Sequence, residues 1–193
     1  MEYNSKKYAF FSHLDTIFLP KIHEHLAPRR RDKILEVGCR RGLLVKKMQE
    51  LGVDAYGIDI NPQAIAHGTA KNLTVADATC LPFADASFNK IYSIHTIEHI
   101  PNVRKALQEM ERVLIPGGTI MLVYPAEIIR GMFALSAAVI VYKKPSLCRA
   151  IHIHKLFPKK IKELIQGLKL EYVESHFPVL LLPQFLTVLQ KSA

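Results

Sequence analysis

The stretch Lys33-Ile34-Leu35-Glu36-Val37-Gly38-Cys39-Arg40-Arg41-Gly42 decides the fold of this chain. Its first five residues form a short, largely apolar run, which predicts a buried strand over 33–37. The glycines that follow predict a tight turn, and the apolar periodicity after Gly42 predicts a helix over 42–51. A glycine turn of this kind aims backbone N–H groups at a ligand. The stretch therefore predicts a strand–turn–helix unit with a ligand at its turn.

A second strand, predicted over 53–58, ends in Asp59, which lies seventeen residues past Gly42. Asn61-Pro62 then provides a good N-cap and first helical position for a helix that runs to about residue 70. An acidic residue at the end of this strand is placed to accept hydrogen bonds from ribose hydroxyls. It could instead cap the helix that follows. The turn and the acid together predict a cofactor that contains a nucleoside.

Strands and helices continue to alternate along the rest of the chain. The predicted strands cover 72–76, 90–94, 119–124, 169–176 and 185–190, and the predicted helices cover 102–115 and 158–168. Near-continuous apolar strands between helices are typical of a parallel sheet covered on both faces. We therefore predict a doubly wound α/β fold in one domain over 1–193, with an N-terminal helical segment over 1–31.

The composition is that of an ordinary globular protein, with 49% hydrophobic and 22% charged residues, and it excludes wholesale disorder. The three cysteines, at 39, 80 and 148, form no CxxC pair and fit a reducing, cytoplasmic setting without a structural zinc site. The N-terminal residues lack an apolar run long enough for a secretory signal.

The net charge of +9 favours an anionic partner such as RNA, acidic lipid headgroups or a phosphorylated small molecule. No nucleic-acid motif accompanies the basic residues, which occur as scattered pairs and triplets. Solvated surface is the other interpretation of such clusters, and nucleic acid is therefore a less favoured partner.

The glycine spacing separates two kinds of nucleotide-binding loop. A dinucleotide fingerprint counted from Gly38 needs glycines at positions 40 and 43, where this chain has arginine and leucine. The pattern Glu36-x-Gly38-x-Arg40-x-Gly42 instead resembles the E-x-G-x-G-x-G loop of class I S-adenosylmethionine-dependent methyltransferases. Arg40 replaces the middle glycine, and we expect its side chain to point outward.

The resemblance continues in order over roughly residues 30–125. Asp59 is similar to the family's ribose-binding acid, and Asp77-Ala78 with Leu81-Pro82-Phe83 is similar to its adenine-contacting segment. The stretches 97–100 and 112–118 resemble the exit of its fourth strand and its R-V-L-x-P-G-G turn. The resemblance implies a Rossmann-like fold with a seven-stranded, mostly parallel sheet. Its last strand, here 185–190, is reversed and inserted beside the sixth.

The resemblance also implies S-adenosylmethionine as the cofactor and assigns residues to it. Glu36 would lie beneath the loop near the methionine end, Asp59 would accept from the ribose, and Asp77 would accept from the adenine amino group. The other expected cofactor contacts are Gly38, Cys39, Gly42, Ile60, Ala78, Ile94 and His95.

No catalytic residue is assigned, because a base is needed only if the acceptor must lose a proton. His95 and His99 are the nearest candidates, although His99 also fits a structural role at a helix start and His95 could face solvent. His152 and His154 form an H-x-H pair without an evident third ligand, so no metal site is predicted.

Residues 131–142 are strongly apolar and are followed by two lysines, but the run is too short to span a membrane. They fit a buried helix, or an apolar lid within a helical acceptor-side segment over 126–168. In the second case, 128–144 would provide peripheral contact with a membrane. We therefore predict a methyltransferase for a small or lipid-like acceptor. An RNA methyltransferase and a non-catalytic, partner-binding methyltransferase-like subunit are the alternatives.

Overall fold

The computed structural model describes residues 13–127, 135, 139, 143, 146, 152–177, 179 and 183–193. A 3-10 helix over His13–Phe18 leads into α1, Leu19–Leu26, within the segment over 1–31 that was predicted as helical. Most of the predicted patch over 128–144, and part of the predicted segment over 126–168, lie outside the described residues. Among the described residues, no helix combines the length and apolarity that crossing a membrane requires.

Seven strands form one sheet in the order β3-β2-β1-β4-β5-β7-β6. Their bounds are β1 Lys33–Val37, β2 Asp54–Asp59, β3 Leu73–Val75, β4 Phe88–Ile94, β5 Leu114–Pro125, β6 Leu170–His176 and β7 Gln184–Lys191. The first five strands pair in parallel, whereas β7 pairs antiparallel with both β5 and β6. The predicted doubly wound sheet and its reversed last strand are both confirmed.

Helices connect these strands and cover the sheet. Their bounds are α2 Leu43–Glu50, α3 Pro62–Ala66, α4 Val103–Val113 and α5 Pro158–Leu164, with a short 3-10 turn over Ile97–His99. Two clusters of buried apolar residues, each with members from the strands and the helices, join the sheet to the helices that cover it. In one of them Met110 and Val113 of α4 pack against the sheet, and in the other Leu44 and Met48 of α2 do so. This burial on both faces explains why the strands are almost continuously apolar.

Three element boundaries differ from the predictions by four or five residues, and one of them is the end of the helix predicted over 158–168, which stops at Leu164. The helix expected to reach residue 70 ends at Ala66, and Gly68 donates to the carbonyl oxygen of Ile65 in the turn that follows. The fifth strand begins at Leu114 rather than Thr119, because Leu114 already pairs with Phe88 across a register irregularity in β4.

Candidate active site

A cleft of about 810 Å³, measured with its open mouth, lies at the carboxyl ends of the first four strands. Strand β1 lies between β2 and β4, so the strand order reverses at this point of the sheet. Ligands of open α/β sheets bind at such switch points. The predicted residues that line the cleft are Gly38, Asp59, Ile60, Asp77, Ala78, His95 and His99.

Gly38 lines the cleft at a position where no larger residue fits. Its φ is +85°, a conformation that glycine adopts without steric cost. A Cβ atom at this position would lie 2.1 Å from the Oγ1 atom of Thr96. The glycine therefore lets the loop after β1 pack directly against the turn after β4.

The amide groups of the loop are hydrogen-bonded within the protein. The N–H groups of Gly38 and Cys39 both donate to the carbonyl oxygen of Ile58, at 2.8 Å, and that of Gly42 donates to Cys39 at 2.7 Å. This arrangement differs from the expectation that the turn aims its N–H groups at a ligand. The glycines are instead required by close packing, Gly38 against Thr96 and Gly42 against Leu73.

Asp59 is positioned by two backbone donors. Its Oδ2 atom accepts from the N–H of Arg40 at 2.8 Å, and its Oδ1 atom accepts from the N–H of Asn61 at 2.9 Å. The side chain of Asn61 caps α3 by accepting from Gln63 and Ala64. Asp59 is therefore not the cap of that helix, and its carboxylate borders the cleft with lone pairs available for a ligand.

Asp77 and Ile60 form the opposite part of the cleft wall. The Oδ1 atom of Asp77 accepts from both the N–H and the hydroxyl of Thr79, at 2.8 Å each, which fixes the carboxylate in a turn. Ala78 beside it is buried, whereas 66% of the Ile60 surface is exposed. The cleft thus contains two fixed carboxylates and apolar side chains, the groups that an adenosine requires.

Four predicted contacts do not line the cleft. Glu36 is buried and accepts from the hydroxyl of Tyr92 at 3.2 Å, and Ile94 is buried in the core. Burial raises the pKa of the Cys39 thiol, as do the carboxylates of Glu36 and Asp59, so this cysteine stays neutral. Gly42 packs against Leu73 at the start of α2.

Arg40 is half-buried and borders the cleft, and the outward direction expected of its side chain stays a prediction. Its φ is +52°, a left-handed conformation that costs a residue with a Cβ roughly 1–2 kcal/mol. Only its backbone N–H is needed to hold Asp59.

We therefore expect Arg40→Gly to leave cofactor affinity within about threefold of the wild type. The free energy of unfolding should stay equal or rise by up to about 1 kcal/mol, because glycine relieves the backbone strain. Calorimetric titration and urea unfolding measure the two effects. Arg40→Ala, which removes the guanidinium but keeps the Cβ, is the matched control. A large loss of affinity in both variants would identify the guanidinium as a ligand contact.

The turn after β4 contains a buried acid surrounded by histidines. Glu98 is 1% exposed, and its Oε1 atom lies 3.6 Å from His95 Nδ1 and 3.8 Å from His99 Nε2. Burial alone would raise the pKa of Glu98, but the facing histidines outweigh it and hold that pKa below its ordinary value. His95, with φ of +49°, lies edge-on to Phe18, and with His99 it faces the cleft.

The H-x-H pair is divided between two environments. His154 bonds through Nε2 to the carbonyl oxygens of Ile100 and Pro101, at 2.9 and 3.2 Å. His152 is instead buried beside His99, with their ring centroids 4.9 Å apart. The pair therefore does not act as a unit.

Other residues of the cleft carry no signal in the sequence. Thr96 lines the cleft and packs closely against Gly38, a contact that only the folded chain shows. Ile100 and Pro101 line the cleft as well, in the turn after β4. Asn61 was predicted as a helix cap, which is confirmed, but its position in the cleft wall was not predicted.

The arginine of the R-V-L-x-P-G-G stretch holds the loop that follows Asp77. Arg112 donates to the carbonyl oxygens of Leu81 and Phe83 and to the carboxylates of Asp85 and Glu109, at 2.7–3.0 Å. Glu109 in turn accepts from the N–H of Leu81 at 2.8 Å. The hydrogen bond from Arg112 is the main reason that the pKa of Glu109 lies below its ordinary value.

We expect Arg112→Ala to lower the free energy of unfolding by about 2–3 kcal/mol at neutral pH, because it leaves a largely buried carboxylate unpaired. The ionised Glu109 side chain contributes to the free energy of unfolding at pH values above the ordinary carboxyl pKa. This contribution is lost as the pH falls through the lower, folded-state pKa of Glu109. Urea unfolding from pH 7 to pH 3 should therefore show a smaller acid-dependent loss in Arg112→Ala than in the wild type.

Arg104→Ala is the control for this experiment. Arg104 donates to the carbonyl oxygens of Leu164 and Gln166 and contacts no carboxylate in the described part of the chain. Its replacement should lower stability by a similar amount at every pH. An equal pH dependence in both variants would contradict the role assigned to Glu109.

Comparisons with known proteins agree with this geometry. Residues 35–122 match the family model described as a methyltransferase domain. The chain is 29% identical over 114 residues to sterol 4-C-methyltransferase strm-1 of Caenorhabditis elegans, covering 52% of this chain and 34% of that protein. It is 30% identical over 120 residues to the probable tRNA methyltransferase 9B of Homo sapiens, covering 58% and 26%. The chain thus spans well under half the length of these curated relatives.

A solved structure extends the similarity to the whole fold. The methyltransferase in a complex with the Haloferax volcanii Trm112 activator superimposes with a TM-score of 0.68 at 17% identity, covering 94% of this chain and 95% of that one. At this identity the likeness concerns the fold alone. Residues 35–122 thus match a methyltransferase domain, and the sheet with its reversed last strand agrees with the fold of the class I S-adenosylmethionine-dependent methyltransferases that the sequence resembles.

Proposed function

We propose that this chain transfers a methyl group from S-adenosylmethionine and binds that cofactor in the cleft at the carboxyl ends of β1–β4. The observation that carries the proposal is the pair of fixed carboxylates, Asp59 and Asp77, which line one cleft together with the exposed Ile60. An adenosine group needs acceptors for its ribose hydroxyls and its amino group, and an apolar surface. Gly38 lines the same cleft.

When bound, the cofactor supplies a methyl group on a positively charged sulfur. The residues of this chain then contribute mainly position, because methyl transfer depends on aligning the acceptor with the methyl carbon and on excluding water. Asp59 and Asp77 hold the nucleoside, and the backbone at Gly38 borders the rest of the ligand. No residue needs to form a covalent intermediate.

His95 and His99 are the proposed proton acceptors for an acceptor substrate that must lose a proton. Both line the cleft, and their side chains are 30% and 28% exposed. The buried Glu98 carboxylate behind them stabilises an imidazolium once it forms. An acceptor with a free amine needs no such base.

We propose a small or lipid-like molecule as the methyl acceptor. Leu135 and Val139, two described residues of the 128–144 segment, are helical, lie four positions apart and are 44% and 46% exposed. These two exposed apolar side chains support an apolar surface at their positions. By its name, the Caenorhabditis elegans relative acts on a sterol, which fits this surface. A cytoplasmic chain with peripheral membrane contact through 128–144 is part of the proposal.

Two specific observations favour alternatives. The charge of +9 and the human relative named as a tRNA methyltransferase fit an RNA acceptor. The Haloferax volcanii neighbour was solved with an activator protein, which fits a chain that works with a partner or acts only as a partner-binding subunit.

The decisive experiment follows labelled methyl groups from the cofactor into a cell extract that is then separated into lipid, RNA, protein and small-molecule fractions. We expect the label in the lipid or small-molecule fraction. Label in RNA, with binding that weakens steeply as salt rises, would favour the RNA alternative. Absence of calorimetric binding to both the cofactor and its demethylated product would contradict the enzyme proposal.

A further inference from the structure

Three potential metal ligands meet behind the cleft, although they are distant in the sequence. Glu98 and His99 lie in the 3-10 turn after β4, and His152 lies 53 positions after His99. One ligand atom from each of the three residues lies within 4.8 Å of the other two. Ligands of a tetrahedral zinc site are bound at about 2.0–2.2 Å, so this group needs only small side-chain movements to surround an ion.

The carboxylate of Glu98 carries the strongest indication of a missing positive partner. Both of its oxygens are buried, and among the described residues neither has a hydrogen-bond donor within bonding distance. Its nearest neighbours are imidazole nitrogens at 3.6 and 3.8 Å. A buried carboxylate without a hydrogen bond is costly, and a cation placed between it and the imidazoles would remove that cost.

A second buried acid orients His152 as metal ligands are commonly oriented. The Nδ1 atom of His152 lies 2.6 Å from Oε1 of Glu127, and both residues are buried. If Nδ1 carries the proton that it shares with this carboxylate, Nε2 presents its lone pair to Glu98 and His99. A carboxylate bound to the far nitrogen of a histidine fixes the ring and strengthens it as a ligand.

We propose that Glu98, His99 and His152 bind one divalent transition-metal ion at the inner wall of the cleft, with Glu127 positioning His152. Two imidazole nitrogens and one carboxylate oxygen suit Zn²⁺, Fe²⁺ or Co²⁺, whereas Mg²⁺ and Ca²⁺ prefer oxygen ligands alone. Of the three ligands only His99 lines the cleft, so the ion would lie behind the cleft wall. The site goes beyond methyl transfer and does not depend on it. With the ion bound, His99 is a ligand and His95 alone is the proposed proton acceptor.

A second His-Glu-His group provides the control. His25, Glu174 and His176 also lie close enough to hold an ion. There, however, the two carboxylate oxygens of Glu174 already contact His25 at 2.9 Å and His176 at 3.1 Å, and its side chain is 43% exposed. The acid of this second group is therefore both satisfied and solvated, so it has less to gain from a metal.

The test is a titration of the full chain, freed of metal with a chelator, with Co²⁺ and Zn²⁺. We expect one tightly bound Co²⁺ per chain and visible absorption bands typical of low coordination number. In His99→Asn and His152→Asn the Kd should rise by at least about 100-fold, and in Glu127→Gln by about 10–100-fold, as for orienting partners of other metal sites. His176→Asn should bind as the wild type does.

Thermal unfolding separates loss of a ligand from loss of the fold. Each variant should unfold cooperatively without metal, and saturating Zn²⁺ should raise the Tm of the wild type and of His176→Asn only. His99→Asn is the key variant because its side chain is partly exposed and its replacement creates no cavity in the core. Calorimetry with the demethylated cofactor on the same samples tests methyltransferase function separately.

Absence of Co²⁺ binding by the wild type at millimolar concentration would overturn the metal site. So would binding that His176→Asn abolishes and His99→Asn leaves unchanged. Either result can occur while the demethylated cofactor still binds, and the proposed function would then stand without the metal.

Discussion

Asp59→Ala should weaken binding of the demethylated cofactor by about 30-fold or more. Hydrogen bonds to a charged acceptor contribute about 1.5–3 kcal/mol, and this carboxylate is placed to accept from both ribose hydroxyls. The variant also frees the N–H of Arg40, which Asp59 holds at 2.8 Å, so the loop loses part of its alignment. Isothermal titration calorimetry measures the affinity directly.

Two variants control this experiment. Asp54→Ala removes an exposed carboxylate at the opposite end of the same strand and should leave the affinity unchanged. Asp59→Asn keeps the size and one acceptor oxygen, and we expect an intermediate loss. If Asp59→Ala binds as tightly as Asp54→Ala, the cofactor does not occupy this cleft in the proposed way.

Gly38→Ala should lower the free energy of unfolding by about 2–5 kcal/mol and abolish cofactor binding at micromolar concentration. Its new Cβ would meet Thr96 at 2.1 Å, and its φ of +85° adds backbone strain. The loop after β1 and the turn after β4 must then separate, which disturbs the lining of the cleft. Urea unfolding with the calorimetric titration measures both consequences.

Gly117→Ala is the matched control for the backbone strain. Gly117 has a similar φ of +74°, but among the described residues no atom lies within 4 Å of the position that its Cβ would take. The substitution should cost only the backbone strain of about 1–2 kcal/mol and leave cofactor affinity unchanged. If Gly38→Ala and Gly117→Ala lost the same free energy of unfolding, the contact with Thr96 would not contribute to the cost of the Gly38 substitution.

Much of the fold could be predicted from the sequence because burial on two faces leaves a strong local signal. Strand β5 is apolar from Ile120 to Pro125, and the cap at Asn61 is a property of neighbouring residues. The boundaries that failed depend on distant partners. Strand β5 starts early because Leu114 pairs with Phe88, and periodicity within one segment cannot show that contact.

The candidate site shows the same difference between features that depend on neighbouring residues and features that depend on distant ones. Asp59 and Asp77 follow from their positions at strand ends, since parallel strands bring such residues to one edge of the sheet. The hydrogen bonds of the glycine loop could not be predicted, because they depend on the carbonyl oxygen of Ile58 in another strand. The group of Glu98, His99 and His152 could not be predicted either, because the turn that contains Glu98 approaches His152 only in the folded chain.

The insertion of β7 between β5 and β6 has a consequence for synthesis on the ribosome. Strands β1 to β5 can pair as they emerge, but β6 contacts the sheet only through β7, which is made after it. Until residues 184–191 leave the ribosome, β5 remains an open edge and β6 has no place to bind. Such unpaired edges attract other chains, so the nascent protein is most exposed to aggregation, and most in need of a chaperone, during this last interval.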